Sequence, residues 1–174
     1  MRKNTISRLG LALLCALALG LVCMGTAGAE TTGTTPDGFT YRIEGDAATI
    51  TGYTGTATAL IIPAKVEGVQ VRSIGNFAFQ DMASINGVYI PSGVTSIGDF
   101  AFAECISMNS VSIPSSVTSI RSRAFSGCTN LPSVSIPSGV TSIESFAFYG
   151  CSSLASVNIP ASVTGIGENA FLDS

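Results

Sequence analysis

The chain has 174 residues, 46% of them apolar and only 11% charged, so its polarity rests on Ser, Thr, Asn and Gly and its length suits one modest domain. It contains no histidine, which excludes histidine general bases, His-based triads and histidine metal sites. Eight Lys/Arg against eleven Asp/Glu give a net charge of −3, and such a balance argues against nucleic acid as a partner, because phosphate binding needs a basic footprint.

At the start, Arg2, Lys3 and Arg8 precede the uncharged run LGLALLCALALGLVCMG (Leu9 to Gly25), and the small residues Ala27-Gly28-Ala29 follow. That order is the order of a secretory signal peptide over residues 1–29, with cleavage after Ala29, and it predicts a secreted or cell-surface protein. Two other readings compete with it. The run of 17 residues is just long enough to be retained as a membrane span. Cys23 offers a lipoprotein site, although Gly20-Leu21-Val22 suits that processing poorly. The small-residue exit favours cleavage. Loss of three basic residues leaves 5 Lys/Arg against 11 Asp/Glu, a net charge of −6, which disfavours docking on anionic lipid. Membrane contact is therefore expected only through an uncleaved signal segment.

Residues 30–56 read as a linker and a small β cap. Within FTYRIEGDAATITGYTG (Phe39 to Gly55), Gly45-Asp46 lies between two strand-like runs, as a tight hairpin requires. From residue 57 onward the sequence repeats. YIPSGVTSIGDFAFAEC (Tyr89 to Cys105) returns as SIPSSVTSIRSRAFSGC, SIPSGVTSIESFAFYGC and NIPASVTGIGENAFLDS, and Pro91, Pro114, Pro137 and Pro160 lie 23 residues apart. An earlier unit from about Ala57 to Ser84 carries five extra residues around Glu67 to Val71, so residues 57–174 hold about five units.

Certain columns of the repeat never become polar. Val88/Val111/Val134/Val157 and Ile90/Ile113/Ile136/Ile159 form a Val-x-Ile pair with the period of two that a half-buried strand requires. The proline after it stops the ladder, having no N–H to donate. Ile97 and its equivalents predict a short extended piece. Asn76, Asp99, Ser122 and Ser145 stand where a helix N-cap would, just before the Ala-Phe pair, and predict a short helical turn that Gly127 and Gly150 would end. Each unit is thus expected to be one coil, unable to bury its apolar side alone and stable only in a stack.

Three cysteines lie beyond residue 29, Cys105, Cys128 and Cys151, and their spacing is again the repeat period. An odd count cannot pair fully. A column of small buried side chains fits better than an adjacent-repeat disulfide, because equivalent positions in stacked strands point the same way. The thiols have no base beside them, and Asp99, Glu104, Glu144 and Glu168 fall on solvent-facing variable positions. The glycines lack the Lys and Ser/Thr of a phosphate loop. No enzyme, metal or cofactor is expected.

The pattern Leu-x-x-Val-x-Ile-Pro-x-x-Val-Thr-x-Ile-x-x-x-Ala-Phe-x-x-Cys resembles the BspA-type leucine-rich repeat, a 23-residue class found in bacterial surface proteins, over residues 57–174. Departures are Met82 in place of Cys, and Arg123 and Asn169 where Phe77, Phe100 and Phe146 occur, a column expected to be half exposed. The resemblance implies an α/β repeat solenoid: a right-handed leucine-rich-repeat coil with one parallel β-sheet face, short helical turns on the other side and a small N-terminal β-hairpin cap. In that fold the strands line a concave face, which makes Tyr89, Ser110, Ser112, Ser133, Ser135, Ser156 and Asn158 the candidate ligand-binding residues. Tyr89 leads them, since aromatics dominate interface hot spots. The resemblance further implies adhesion to an extracellular protein or glycan, on host matrix or on other cells. The alternative is a structural spacer or assembly module from a larger envelope protein. The array stops at Phe171-Leu172-Asp173-Ser174 without a capping unit, so either more coils follow or this edge pairs with another molecule, end to end with a second copy included.

Overall fold

The computed structural model describes residues 30–174, and the signal-peptide reading of residues 1–29 lies outside them. Strands β1 (Thr31–Thr34), β2 (Phe39–Glu44) and β3 (Ala47–Tyr53) form an antiparallel meander. Its second turn is Gly45-Asp46, with Gly45 at a φ of 62° that a side chain would resist. β4 (Ala59–Ile61) follows, and then β5 (Lys65–Val66) and β6 (Val69–Ile74) pair antiparallel. The five extra residues of the first unit are accounted for here: they build the β5–β6 turn at Glu67 and Gly68, both at left-handed φ.

Each later unit contributes two strands. One is the Val-x-Ile region: β7 (Gly87–Tyr89), β9 (Ser110–Ser112), β11 (Ser133–Ser135) and β13 (Ser156–Asn158). The other is the short piece ending at the second isoleucine: β8 (Ser96–Ile97), β10 (Ser119–Ile120), β12 (Ser142–Ile143) and β14 (Gly165–Ile166). The result is a β-solenoid of stacked coils with parallel pairing between units. The short pieces make the longer sheet, in the order β3-β6-β8-β10-β12-β14, and the hairpin joins it edge-on because β3 pairs parallel with β6. The Val-x-Ile strands make two smaller sheets, β4-β7-β9 and β11-β13.

The apolar columns form the core between the sheets. Phe79, Phe102, Phe125, Phe148 and Phe171 stack ring on ring at 5.0, 5.2, 5.4 and 5.4 Å. That spacing follows from the coil rise of about 4.8 Å between paired strands, which places identical side chains one above another. In the last coil Ile159 and Ile166 are exposed, whereas their equivalents Ile90 and Ile97 are buried. The cysteine column is buried and its three thiols are free. Each Sγ donates to a phenylalanine carbonyl of the preceding coil, Cys105 to Phe79, Cys128 to Phe102 and Cys151 to Phe125, at 3.1 to 3.2 Å.

The expected helical turns are absent: no helix occurs among the described residues. The reason lies in where the N–H groups go. Those of Phe77, Phe79 and Asp81 donate to Asp99, Ala101 and Ala103 of the next coil, while those of Ala78, Gln80 and Met82 fold back three residues. Every second donor is thus used for stacking, and an i to i−4 ladder cannot form. The residues read as N-caps also bond across coils. Asn76 Oδ1 accepts from the Asp99 N–H at 2.9 Å, and Ser122 Oγ donates to the Ser145 carbonyl at 2.9 Å. This alternation is reached by left-handed residues at Phe77, Phe100, Arg123, Phe146 and Asn169, with φ between 54° and 60°. A side-chain-bearing residue adopts that conformation at a cost of ~1–2 kcal/mol, offset here by hydrogen bonds to two coils. The same column is half exposed, as the sequence suggested. Phe77 stacks on Phe100 at 5.1 Å, and the Arg123 guanidinium lies 4.2 Å from the Phe146 ring centre.

Candidate functional site

The Val-x-Ile strands turn Val88 and Val134 inward and their neighbours outward, as a period of two dictates. All seven predicted residues are exposed: Tyr89, Ser110, Ser112, Ser133, Ser135, Ser156 and Asn158. They do not form one surface. Tyr89 pairs in register with Ile61 on one side and Ser112 on the other, within β4-β7-β9. Ser135 pairs with Asn158 in β11-β13, where Asn158 Nδ2 donates to Ser135 Oγ at 3.2 Å.

Pro132 explains the division. At the equivalent positions, the Asn109 N–H donates to the Asn86 carbonyl and the Ala155 N–H to the Pro132 carbonyl, both at 2.9 Å. Pro132 has no N–H to give to Asn109, so the ladder between β9 and β11 is not made. Val111 and Ile113, next to the break, are only half buried, where Val88 and Ile90 are buried.

The two blocks differ in chemistry. The first carries Ile61, 74% exposed, beside Tyr89, 52% exposed. Between them runs a shallow depression of about 360 Å³ bordered by Gly87 and Ser110. At Ala59 to Ile61 it continues into a hollow of about 470 Å³ walled by Pro36, Phe39, Tyr53 and Thr56. The second block presents only Ser and Asn. Ile61 was detectable by the same alternation that identified Tyr89. Tyr53 was not, because only the folded hairpin brings it beside β4.

The three thiols of the described residues are held in their protonated form. Burial pushes the Cys105 thiol up to about 12 and the Cys151 thiol to about 11, and Cys128 higher still, so none is a thiolate near neutral pH. Among the described residues, no three His, Cys, Asp or Glu side chains group as a metal site. Tyr41 is also pushed up, by burial and then by Glu67, whose carboxylate accepts its hydroxyl at 3.1 Å.

The repeat profile described as BspA type leucine rich repeat region matches in six copies over residues 55–174. Among solved structures, the leucine-rich repeat protein of T. pallidum (TpLRR) is 33% identical with a TM-score of 0.73, covering 82% of this chain and 64% of its own. This chain therefore spans less than two thirds of that protein. A leucine-rich repeat protein from Bacteroides capillosus is 29% identical, with a TM-score of 0.57 over 79% of this chain and 98% of that one. A leucine-rich cell surface protein from Faecalibacterium prausnitzii is 29% identical, with a TM-score of 0.58 over 85% of this chain and 53% of its own. No curated protein matches the chain.

Proposed function

The chain belongs to the BspA-type leucine-rich repeat family, and from that premise we propose that it is an exported, surface-displayed binding module without catalytic activity. It recognises an extracellular protein or glycan through the outward residues of its Val-x-Ile strands. The observation that carries this reading is the first block. Ile61 and Tyr89 are held in register on adjacent strands, largely exposed, above a depression open to the Tyr53 hollow. A soluble repeat array gains nothing in stability from exposing an isoleucine and a tyrosine side by side, and such paired apolar anchors with a polar surround are the makings of a hot spot. The hydroxyls from Ser110 to Asn158 serve as the polar extension. The signal-peptide pattern of residues 1–29 and the printed description of the Faecalibacterium relative as a cell surface protein support display outside the cell.

The test is binding of the purified chain to a panel of matrix proteins and surface glycans, beside the variant Tyr89→Ala with Ser112→Glu and Ser135→Glu, once circular dichroism shows both folded alike. Binding that the variant loses supports the adhesive reading. A folded wild type that binds none of the panel overturns it in favour of the structural spacer.

A further inference from the structure

The longer sheet has an outward face of its own, and the pairing register assembles it from segments far apart in the chain. Arg42 pairs with Thr49, Thr49 with Ser73, Ser73 with Ser96 and Ser96 with Ser119, which makes one transverse row of a guanidinium and four hydroxyls. Two residues further along each strand, on the same face, runs a second row of Thr51, Gly75, Gly98 and Arg121. It is held by N–H donation from Gly75 to Ile50, from Gly98 to Ile74 and from Arg121 to Ile97.

The glycines are dictated by packing. A Cβ on Gly98 would lie 2.5 Å from Asn76 Oδ1 and 2.7 Å from the Gly75 carbonyl carbon, and one on Gly75 would lie 3.1 Å from the Ile50 carbonyl oxygen. With no side chains there, the face sinks into a trough of about 470 Å³ with Arg42 and Arg121 among its walls, a volume within the ~300–1,000 Å³ of small-ligand sites.

We propose that this trough is a second binding site, distinct from the Tyr89 block, and that it takes a short carboxylated oligosaccharide. Four strand spacings of about 4.8 Å separate β2 from β10, so the backbone positions of the two arginines stand roughly 19 Å apart across the sheet. A single small anion meets one end only, whereas a chain of sugars spans both. Its hydroxyls find the Thr49, Ser73 and Ser96 row, and its carboxylates find guanidiniums, which bind them in a bidentate fork.

The donors are available. Neither guanidinium donates a hydrogen bond to an acceptor among the described residues; Arg42 Nε is itself covered, so the terminal nitrogens are the ones a ligand would meet. Glu44 and Glu30 lie 3.4 and 3.8 Å from that nitrogen and hold Arg42 in place by charge alone. Arg121 has no carboxylate within ion-pair distance among the described residues, although Asp99 and Glu144 share a separate hollow of about 230 Å³ with it. A polypeptide is a poorer occupant, because the inner strands of this sheet already spend their backbone groups on one another and offer no edge to extend. The chain's net negative charge disfavours a long polyanion.

The experiment is calorimetric titration of the purified chain with tri-galacturonate, with maltotriose as the neutral saccharide and tri-glutamate as the acidic peptide. Saturable binding of tri-galacturonate is expected, at least tenfold tighter than maltotriose or tri-glutamate and weakened by salt. Arg42→Gln with Arg121→Gln lowers the affinity at least tenfold, and Tyr89→Ala leaves it unchanged. If the double variant fails to fold, Arg121→Gln alone suffices, since Arg121 is exposed and outside the Glu30 and Glu44 contacts; a loss of at least threefold is then required. The proposal is overturned by absence of tri-galacturonate binding at millimolar concentration, by equal binding of maltotriose, by preference for tri-glutamate, or by arginine variants that bind as the wild type does. Because the Tyr89 variant is the control, failure here leaves the adhesive reading of the other face standing, and failure there leaves this one.

Discussion

The two exposed faces of the solenoid come from the same repeat and differ in continuity. The longer sheet runs unbroken from the hairpin through β14, and the Val-x-Ile face stops between β9 and β11. One residue type accounts for each behaviour. Gly75 and Gly98 let coils approach where a Cβ would strike backbone, and Pro132 withholds an N–H that the neighbouring coil needs. The buried columns fix where strands lie, while single exposed substitutions decide whether those strands form a continuous surface. The outcome is a polar trough on the intact face and an apolar, aromatic block on the interrupted one.

The shared core offers the largest perturbation, because it supports both faces at once. Phe125→Ala removes a fully buried ring stacked at 5.2 and 5.4 Å between Phe102 and Phe148. The expected loss is about 3–5 kcal/mol, enough to unfold a marginal array, and urea denaturation should show both faces lost together. Loss of Tyr89-face binding with the trough intact would show that the coils are not one cooperative stack.

Alkaline pH acts on the same core more gently. Burial raises all three thiols above their ordinary value of 9.0, so above pH 9 the unfolded chain gives up protons that the folded chain keeps. Stability is then fully present below about pH 9 and declines as pH rises toward 11 for Cys151 and 12 for Cys105, by up to ~1.4 kcal/mol per pH unit for each thiol. Denaturation midpoints between pH 7 and pH 11 measure this. Cys128→Ala should reduce the slope above pH 9, and an unchanged slope would assign the effect to Tyr41 and other groups.

A comparison within one residue type separates two positions of the longer sheet. Gly98→Ala should cost about 1–3 kcal/mol, since its methyl meets Asn76 and Gly75 backbone. Gly165→Ala, with nothing within 4 Å of the added carbon, should be neutral or stabilising by less than ~1 kcal/mol. Thermal melts of the two variants side by side decide it. Equal effects would mean that close coil approach at Gly98 does not constrain the longer sheet.

What was legible in the sequence follows the same division. Phe79 and its equivalents were readable because a stack imposes the same burial on every copy, and the Gly45-Asp46 turn because its φ demands that residue type. The outward direction of Tyr89 and its neighbours was readable from alternation, and their candidacy as a binding face from the family resemblance. The Asn76 and Asp99 positions were misread as helix caps because, locally, an acceptor before an Ala-Phe pair is what a helix start looks like. Only the carbonyls of the next coil redirect those N–H groups. The trough lay beyond reach for a related reason. Arg42 and Arg121 come to share one face through the pairing of β3 with β6, which no repeat column encodes.

Pro132 allows the interrupted face to be repaired. Asn occupies the equivalent positions 86 and 109, so Pro132→Asn introduces a residue the coil already accommodates, together with the missing donor to the Asn109 carbonyl. One added backbone hydrogen bond is worth about 0.5–1.5 kcal/mol. The release of a fixed proline φ in the unfolded chain opposes it by ~0.4–1 kcal/mol, so the net gain is expected to be small. The sharper readout is hydrogen exchange. The substituted residue gains an N–H that should be protected, and protection should rise at Ile113, whose equivalents Ile90 and Ile136 donate to the next coil, while the longer sheet stays unchanged. If Ile113 stays unprotected in the variant, Pro132 is not the cause of the break. If protection rises while ligand binding to the Tyr89 block falls, the interruption itself belongs to the recognition surface, keeping the first block free to adjust to its partner.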